Sequence, residues 1–95
     1  MNLSARTEYA CTAVLELALR YEAGRPVQVR RIAEMHEIPA QFLVQILLQL
    51  KAAGLVASTR GAAGGYRLAV PPEQLSLRDV IRVIEGTADS PPEQR

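Results

Sequence analysis

The chain has 95 residues, of which 48% are apolar and 22% charged, with a formal net charge of +1. That length and composition fit one small globular domain and exclude a disordered chain, and the charge is too close to zero to indicate a nucleic-acid partner by itself. One cysteine, Cys11, and one histidine, His36, exclude an internal disulfide and a closed Cys/His zinc site, while the lack of a long apolar run or a signal-peptide core leads to the expectation of a soluble, cytoplasmic protein with no membrane partner.

Ser4 is placed to cap a first helix running to about Glu22. Ala10, Ala13 or Val14, Leu17 and Tyr21 recur at three- and four-residue spacing, the stripe of a helix buried on one side. Gly24 suits the residue after a helix end, and Pro26 prevents continuation. Cys11 falls inside this helix, where it reads as a small buried hydrophobe. Val27–Val29 is a short extended approach to a second helix, from about Val29 to His36. That helix buries Val29, Ile32 and Ala33 and turns Arg30, Arg31 and Glu34 outward. Arg25, Arg30 and Arg31 form a local basic cluster, which suits either a solvated face or contact with phosphate. His36, in the last turn, reads as structural or exposed and not as a ligand.

Glu37-Ile38-Pro39-Ala40 is a tight connector, and Pro39 suits the first turn of a helix. The third helix runs from about Pro39 to Ala53 and stops at Gly54. Leu43, Ile46, Leu47 and Leu50 form its buried stripe, with Phe42 beside it. The opposite face carries Gln41, Val44, Gln45, Leu48 and Gln49. Gln41 and Gln45 are spaced i, i+4 and project side by side. Glutamine can pair bidentately with adenine in the major groove, and an exposed Val44 can meet a thymine methyl. Two short helices across a tight turn, the second presenting uncharged polar groups, make a helix-turn-helix. Such turns often hold Gly; here Glu37 stands in the turn.

Leu55–Arg60 and Tyr66–Leu68 are two β-prone runs around a tip that contains Gly61, Gly64 and Gly65. They read as a β-hairpin with a mobile, sterically open loop. Arg60 and Arg67 sit at its base, where arginine can meet phosphates or enter a minor groove. An ordinary surface hairpin competes with that reading until the helix pair before it is taken into account. No acidic residue occurs between Ile38 and Pro72, whereas Lys51, Arg60 and Arg67 all lie there. Val70-Pro71-Pro72-Glu73-Gln74 is a rigid loop. Ser76 and Asp79 resemble a capping pair for a last helix, with Leu77, Val80, Ile81 and Ile84 as its apolar stripe and Gly86 as its end. This helix is expected to close the core against the first. Residues 87–95 hold no large apolar side chain and read as a disordered tail or linker. The fold expected is mainly α with a small β-hairpin, with the domain spanning residues 1–86.

The segments NLSARTEYA, IPAQFLVQIL, LKAAGLVASTRGAAGGYRLA and LRDVIRVIEG resemble the Rrf-two family of bacterial winged helix-turn-helix transcription regulators. The resemblance covers about residues 2 to 86, and the glycine-rich pattern from Gly54 to Leu68 is its most specific part. It implies a DNA-binding homodimer, most often a repressor, with the third helix in the major groove and the hairpin as the wing. By that resemblance Gln41, Val44 and Gln45 face bases, Arg60 enters the minor groove, and the start of the first helix around Ser4 and Arg6 meets phosphates. Val44 departs from the acidic or polar residue frequent there. Members usually continue into a long dimerisation helix, and several carry three cysteines ahead of it that hold an iron–sulphur cluster. None of those cysteines occurs here, so no cofactor is expected, and the dimer contact is incomplete in this chain. A truncated piece of a longer protein is favoured over a short form that pairs by another surface.

The DNA-binding set expected is therefore Ser4, Arg6, Arg30, Arg31, Gln41, Val44, Gln45, Arg60, Gly61, Gly64 and Gly65. The competing function is a protein-interaction winged helix, or a fragment that titrates full-length partners without binding an operator itself. An enzyme is not expected: one His, one Cys and no carboxylate cluster leave no nucleophile–base pair with an orienting third group.

Overall fold

The computed structural model describes residues 3–86. Helix α1 is Ala5–Leu19, α2 is Val29–His36 and α3 is Ala40–Ala52. Strands β1 (Val56–Thr59) and β2 (Gly65–Leu68) form the hairpin; a 3₁₀ turn at Pro72–Gln74 leads to α4 (Leu77–Ile81) and a π-helical turn at Arg82–Gly86. Residues 87–95, expected to be a tail, lie outside the described residues.

Each helix starts or stops where a specific side chain or backbone group allows it. Ser4 Oγ accepts the Thr7 amide at 3.1 Å and so caps α1. From Arg20 onward the hydrogen bonds tighten to i→i−3, through Arg20–Leu17, Tyr21–Ala18 and Gly24–Tyr21. That change ends α1 at Leu19, ahead of the expected Glu22. At the end of α3, the Gly54 amide reaches the Lys51 carbonyl at 2.9 Å and the Leu55 amide reaches the Leu50 carbonyl at 2.9 Å. With Gly54 at φ +83°, this is a Schellman stop. Ser76 and Asp79 make the reciprocal capping box that the sequence suggests, at 3.2 and 3.1 Å.

The turn between α2 and α3 explains the missing glycine. Glu37 itself takes the left-handed conformation, φ 55° and ψ 45°, and its amide bonds back to the Ala33 carbonyl. The geometry usual for glycine is kept, at a steric cost of about 1–2 kcal/mol in the backbone.

One aliphatic core joins the elements. Ala10, Ala13, Val14 and Leu17 of α1 pack with Ile32 and Ala33 of α2, with Leu43, Ile46, Leu47 and Leu50 of α3, and with Val56, Leu68, Val80 and Ile84. Val29 is only half-buried, and so is Cys11, which packs against this cluster without entering it. In the last helix the expected stripe holds at Val80 and Ile84, but Leu77 is exposed. The wider π turn changes the phase of the stripe and brings Val83 against the core together with Ile84.

The hairpin is antiparallel, with Val56 opposite Leu68 and Thr59 opposite Gly65. A third backbone segment supports it. Val27 and Tyr66 exchange N–H···O hydrogen bonds in both directions, each 2.8 Å. The short extended stretch before α2 is thus a one-residue strand on the outer edge of β2.

Candidate nucleic-acid interface

Helix α3 presents one continuous uncharged face. Its back is fixed by four buried side chains, Leu43, Ile46, Leu47 and Leu50. Gln41, Val44, Gln45 and Leu48 are exposed on the front, where Val44 and Leu48 keep 41% and 51% of their surface. Solvent-facing aliphatics beside two glutamines suit a base edge better than bulk water.

The start of α1 is tied to this helix. The Arg6 guanidinium donates to the Gln49 Oε1 of α3. That bond uses one of five guanidinium donors, so Arg6 can still reach a phosphate. Ser4, by contrast, is occupied within the chain. The hydroxyl of Thr7, fully buried, donates to Glu85 Oε2 at 2.7 Å. Thr7 has a single O–H, so the 2.9 Å contact with Ser4 is a bond from the Ser4 hydroxyl to Thr7 Oγ1. Ser4 positions the α1 N-terminus and has no hydroxyl proton left for a phosphate.

Arg20, Arg25, Arg30 and Arg31 line a cleft of about 800 Å³ between α2 and the wing tip, with Gln28, Glu34, Ala63 and Gly64 also in its wall. Among the described residues, the only ion pairs join Glu16 to Arg20 and to His36. Among those residues Arg25, Arg30 and Arg31 therefore have no carboxylate partner, and neither does Arg60, exposed just past the last β1–β2 pair at the start of the wing tip.

The three wing glycines differ from one another. Gly61, at φ +104°, has nothing near the position of a Cβ, so the open tip expected from the sequence is present there. Gly64 is buried, a Cβ on it would collide with the Thr59 carbonyl, and its amide bonds to the Gly61 carbonyl at 2.9 Å. A Cβ on Gly65, at φ +152°, would collide with the Val27 carbonyl. Gly64 thus lets backbones approach each other inside the wing and Gly65 lets the wing approach Val27, while the exposed tip is Gly61, Ala62 and Ala63.

Behind the interface lies a buried charge cluster that the sequence reading missed. Glu16 is 6% exposed, with its carboxylate 2.6 Å from Arg20 Nε and 3.0 Å from His36 Nε2. The His36 hydrogen bond is the largest influence on Glu16 and lowers its pKa; burial opposes this, and Arg20 adds to the lowering. An ionised carboxylate only accepts, so His36 Nε2 carries the donated proton. The i, i+4 spacing of Glu16 and Arg20 is the one trace of this cluster in the sequence. Its link to His36 joins α1 to α2. Burial, followed by the charges of Glu8 and Glu85, pushes the Cys11 thiol up, which disfavours the reactive thiolate.

Residues 3–94 match the family model described as Rrf2, iron-dependent transcriptional regulator. The HTH-type transcriptional regulator IscR of Aliivibrio salmonicida is 39% identical over 90 residues, covering 95% of this chain and 53% of that protein. The regulator CymR of Bacillus subtilis is 38% identical over 86 residues, covering 90% and 62%. Among solved structures, T. potens IscR superposes with a TM-score of 0.84 at 38% identity, over 92% of this chain and 63% of that one. The structure of CymR of B. subtilis gives 0.86 at 36% identity, over 90% and 66%. The chain thus spans a little over half the length of such curated relatives. The described residues hold no group of three or more His, Cys, Asp or Glu side chains that could bind a metal ion. No helix among them is long and apolar enough to cross a membrane. Matching nearly end to end, with the helix-turn-helix and wing in place, the chain belongs to the Rrf2 family of transcriptional regulators.

Proposed function

We propose that this domain binds double-stranded DNA in a sequence-specific manner and serves a transcription regulator that represses by occupying its operator. The observation that carries the reading is the exposed, uncharged face of α3, together with exposed arginines that have no carboxylate partner among the described residues. Gln41, Val44 and Gln45 meet base edges in the major groove. Arg6, Arg30, Arg31 and Arg60, with the exposed backbone of the wing tip at Gly61, meet phosphates or the minor groove. Ser4, Gly64 and Gly65 act indirectly, by holding the α1 N-terminus and the wing in shape. The relatives named as HTH-type transcriptional regulators support the same reading. Two copies on a two-fold operator would bind more tightly than one, because linked half-sites gain effective concentration. That homodimer is proposed to form through sequence following the winged domain.

The test begins with a duplex selected from a random library by the unmodified chain. Gln45→Ala is expected to cost about 1–3 kcal/mol on that duplex and little on random DNA, and Arg60→Ala to reduce the salt slope by about one. Equal losses on both duplexes for Gln45→Ala would falsify base reading by α3. Salt-insensitive binding to a protein, with no DNA shift at low ionic strength, would replace the proposal with the protein-interaction reading.

A further inference from the structure

Gln28 stands at the N-cap position of α2, where a short polar side chain would normally cap the helix, yet it makes no side-chain cap. Its amide instead reaches across to the wing tip, where Nε2 donates to the Ala62 carbonyl at 2.9 Å. No other side-chain hydrogen bond among the described residues reaches the exposed tip. The base of the wing is already fixed by the paired Val27–Tyr66 backbone bonds. A two-stranded ladder four residues long is marginal by itself, and beyond its last pair the tip depends on whatever else holds it. Gln28 also lies in the wall of the cleft that Arg25, Arg30 and Arg31 line.

We propose that Gln28 is a positioning residue for DNA binding: its bond to Ala62 fastens the wing tip to the start of α2, so that the arginine-lined cleft and the wing engage DNA as one preformed unit. The inference rests on the DNA-binding reading above and adds a residue that touches no base. Ordering a mobile loop upon binding lowers affinity, and a tether that orders it beforehand removes that loss. Gln28 is exposed, so removing its donor leaves the core intact.

The test uses Gln28→Met, which keeps length and removes the donor. In the DNA-free chain, amide exchange is followed at Gly64, whose N–H bonds to the Gly61 carbonyl inside the tip, and at Tyr66, whose N–H bonds to Val27 at the base. Gly64 is expected to exchange faster in the variant while Tyr66 is unchanged. On the selected duplex, Gln28→Met should weaken binding about three- to tenfold, the range of one net hydrogen bond. That loss should largely vanish in an Arg60→Ala background and persist in a Gln45→Ala background, because only the wing contact passes through the tether. Unchanged Gly64 exchange, or a loss that simply adds to that of Arg60→Ala, overturns the proposal. If the unmodified chain selects no duplex at all, the DNA-binding reading fails, and Gly64 exchange alone decides whether Gln28 holds the tip.

Discussion

Helix α3 and the wing, the two elements of the proposed interface, have opposite kinds of support. Behind α3 stand four fully buried aliphatic side chains, so its front face is a rigid platform whose residues can vary freely. The wing has Val56 and Leu68 in the core at its base and Tyr66 packed against it, while the tip residues Gly61, Ala62 and Ala63 are exposed. Its shape depends on backbone approaches that only glycine allows, on the Val27–Tyr66 pair and on the Gln28 tether. An element held by side-chain burial tolerates change on its outer face. An element held by backbone contact tolerates no Cβ at the contact.

The sharpest way to break that comparison is Gly65→Ala. A methyl there meets the Val27 carbonyl in a conformation that L residues rarely adopt, and the expected cost is about 2–4 kcal/mol in urea melts. Val44→Ala, on the exposed face of α3, should stay within about 0.5 kcal/mol. Similar melts for the two variants would mean that the wing does not depend on that approach. The next effect concerns the joint between α1 and α2. Glu16→Ala leaves Arg20 and His36 without their shared partner and should cost about 2–3 kcal/mol. The folded-state pKa of Glu16 lies below its unfolded value, so its contribution is present above the unfolded value of about 4.3 and is lost as pH falls through the folded one. Urea melts taken downward from about pH 5 should show this acid-side loss in the native chain and not in Glu16→Gln. A matching loss in both chains would assign it to other carboxylates.

Two smaller effects sharpen the comparison at backbone level. Gly61→Ala, with φ +104° but open space around it, should cost about 1 kcal/mol, well below Gly65→Ala. Glu37→Gly removes the left-handed strain in the helix-turn-helix connector and should stabilise by about 1 kcal/mol, less the added freedom of the unfolded chain. A destabilised Glu37→Gly would show that the Glu37 side chain and the lower freedom of its unfolded chain together outweigh the backbone strain.

The α3 stripe, the Ser4 cap, the Gly54 stop and the Ser76–Asp79 box were legible because each is encoded within a few residues of itself. So was the exposure of Gln41, Val44 and Gln45, which follows from helical periodicity once the buried face is known. The bonds of Glu16 to His36, of Thr7 to Glu85 and of Gln28 to Ala62 span 20, 78 and 34 residues. No local pattern marks their ends, since buried or bridging polar groups are recognised by their partners and not by their spacing. The glycines show the same limit. Their presence announced a tight turn, but which of them faces solvent and which faces a carbonyl is a property of the neighbouring backbone.

By itself, then, the sequence determined the helix boundaries to within a turn, the aliphatic core, the exposed face of α3 and the family, because these follow from periodicity, caps and a local glycine pattern. Only the tertiary structure decided that Ser4 is spent on Thr7, that Gly64 and Gly65 are inside the wing, and that Gln28 joins the wing to α2. Each of those depends on which distant atom stands within about 3 Å of a polar group or a missing Cβ, and that is set by packing of the whole chain.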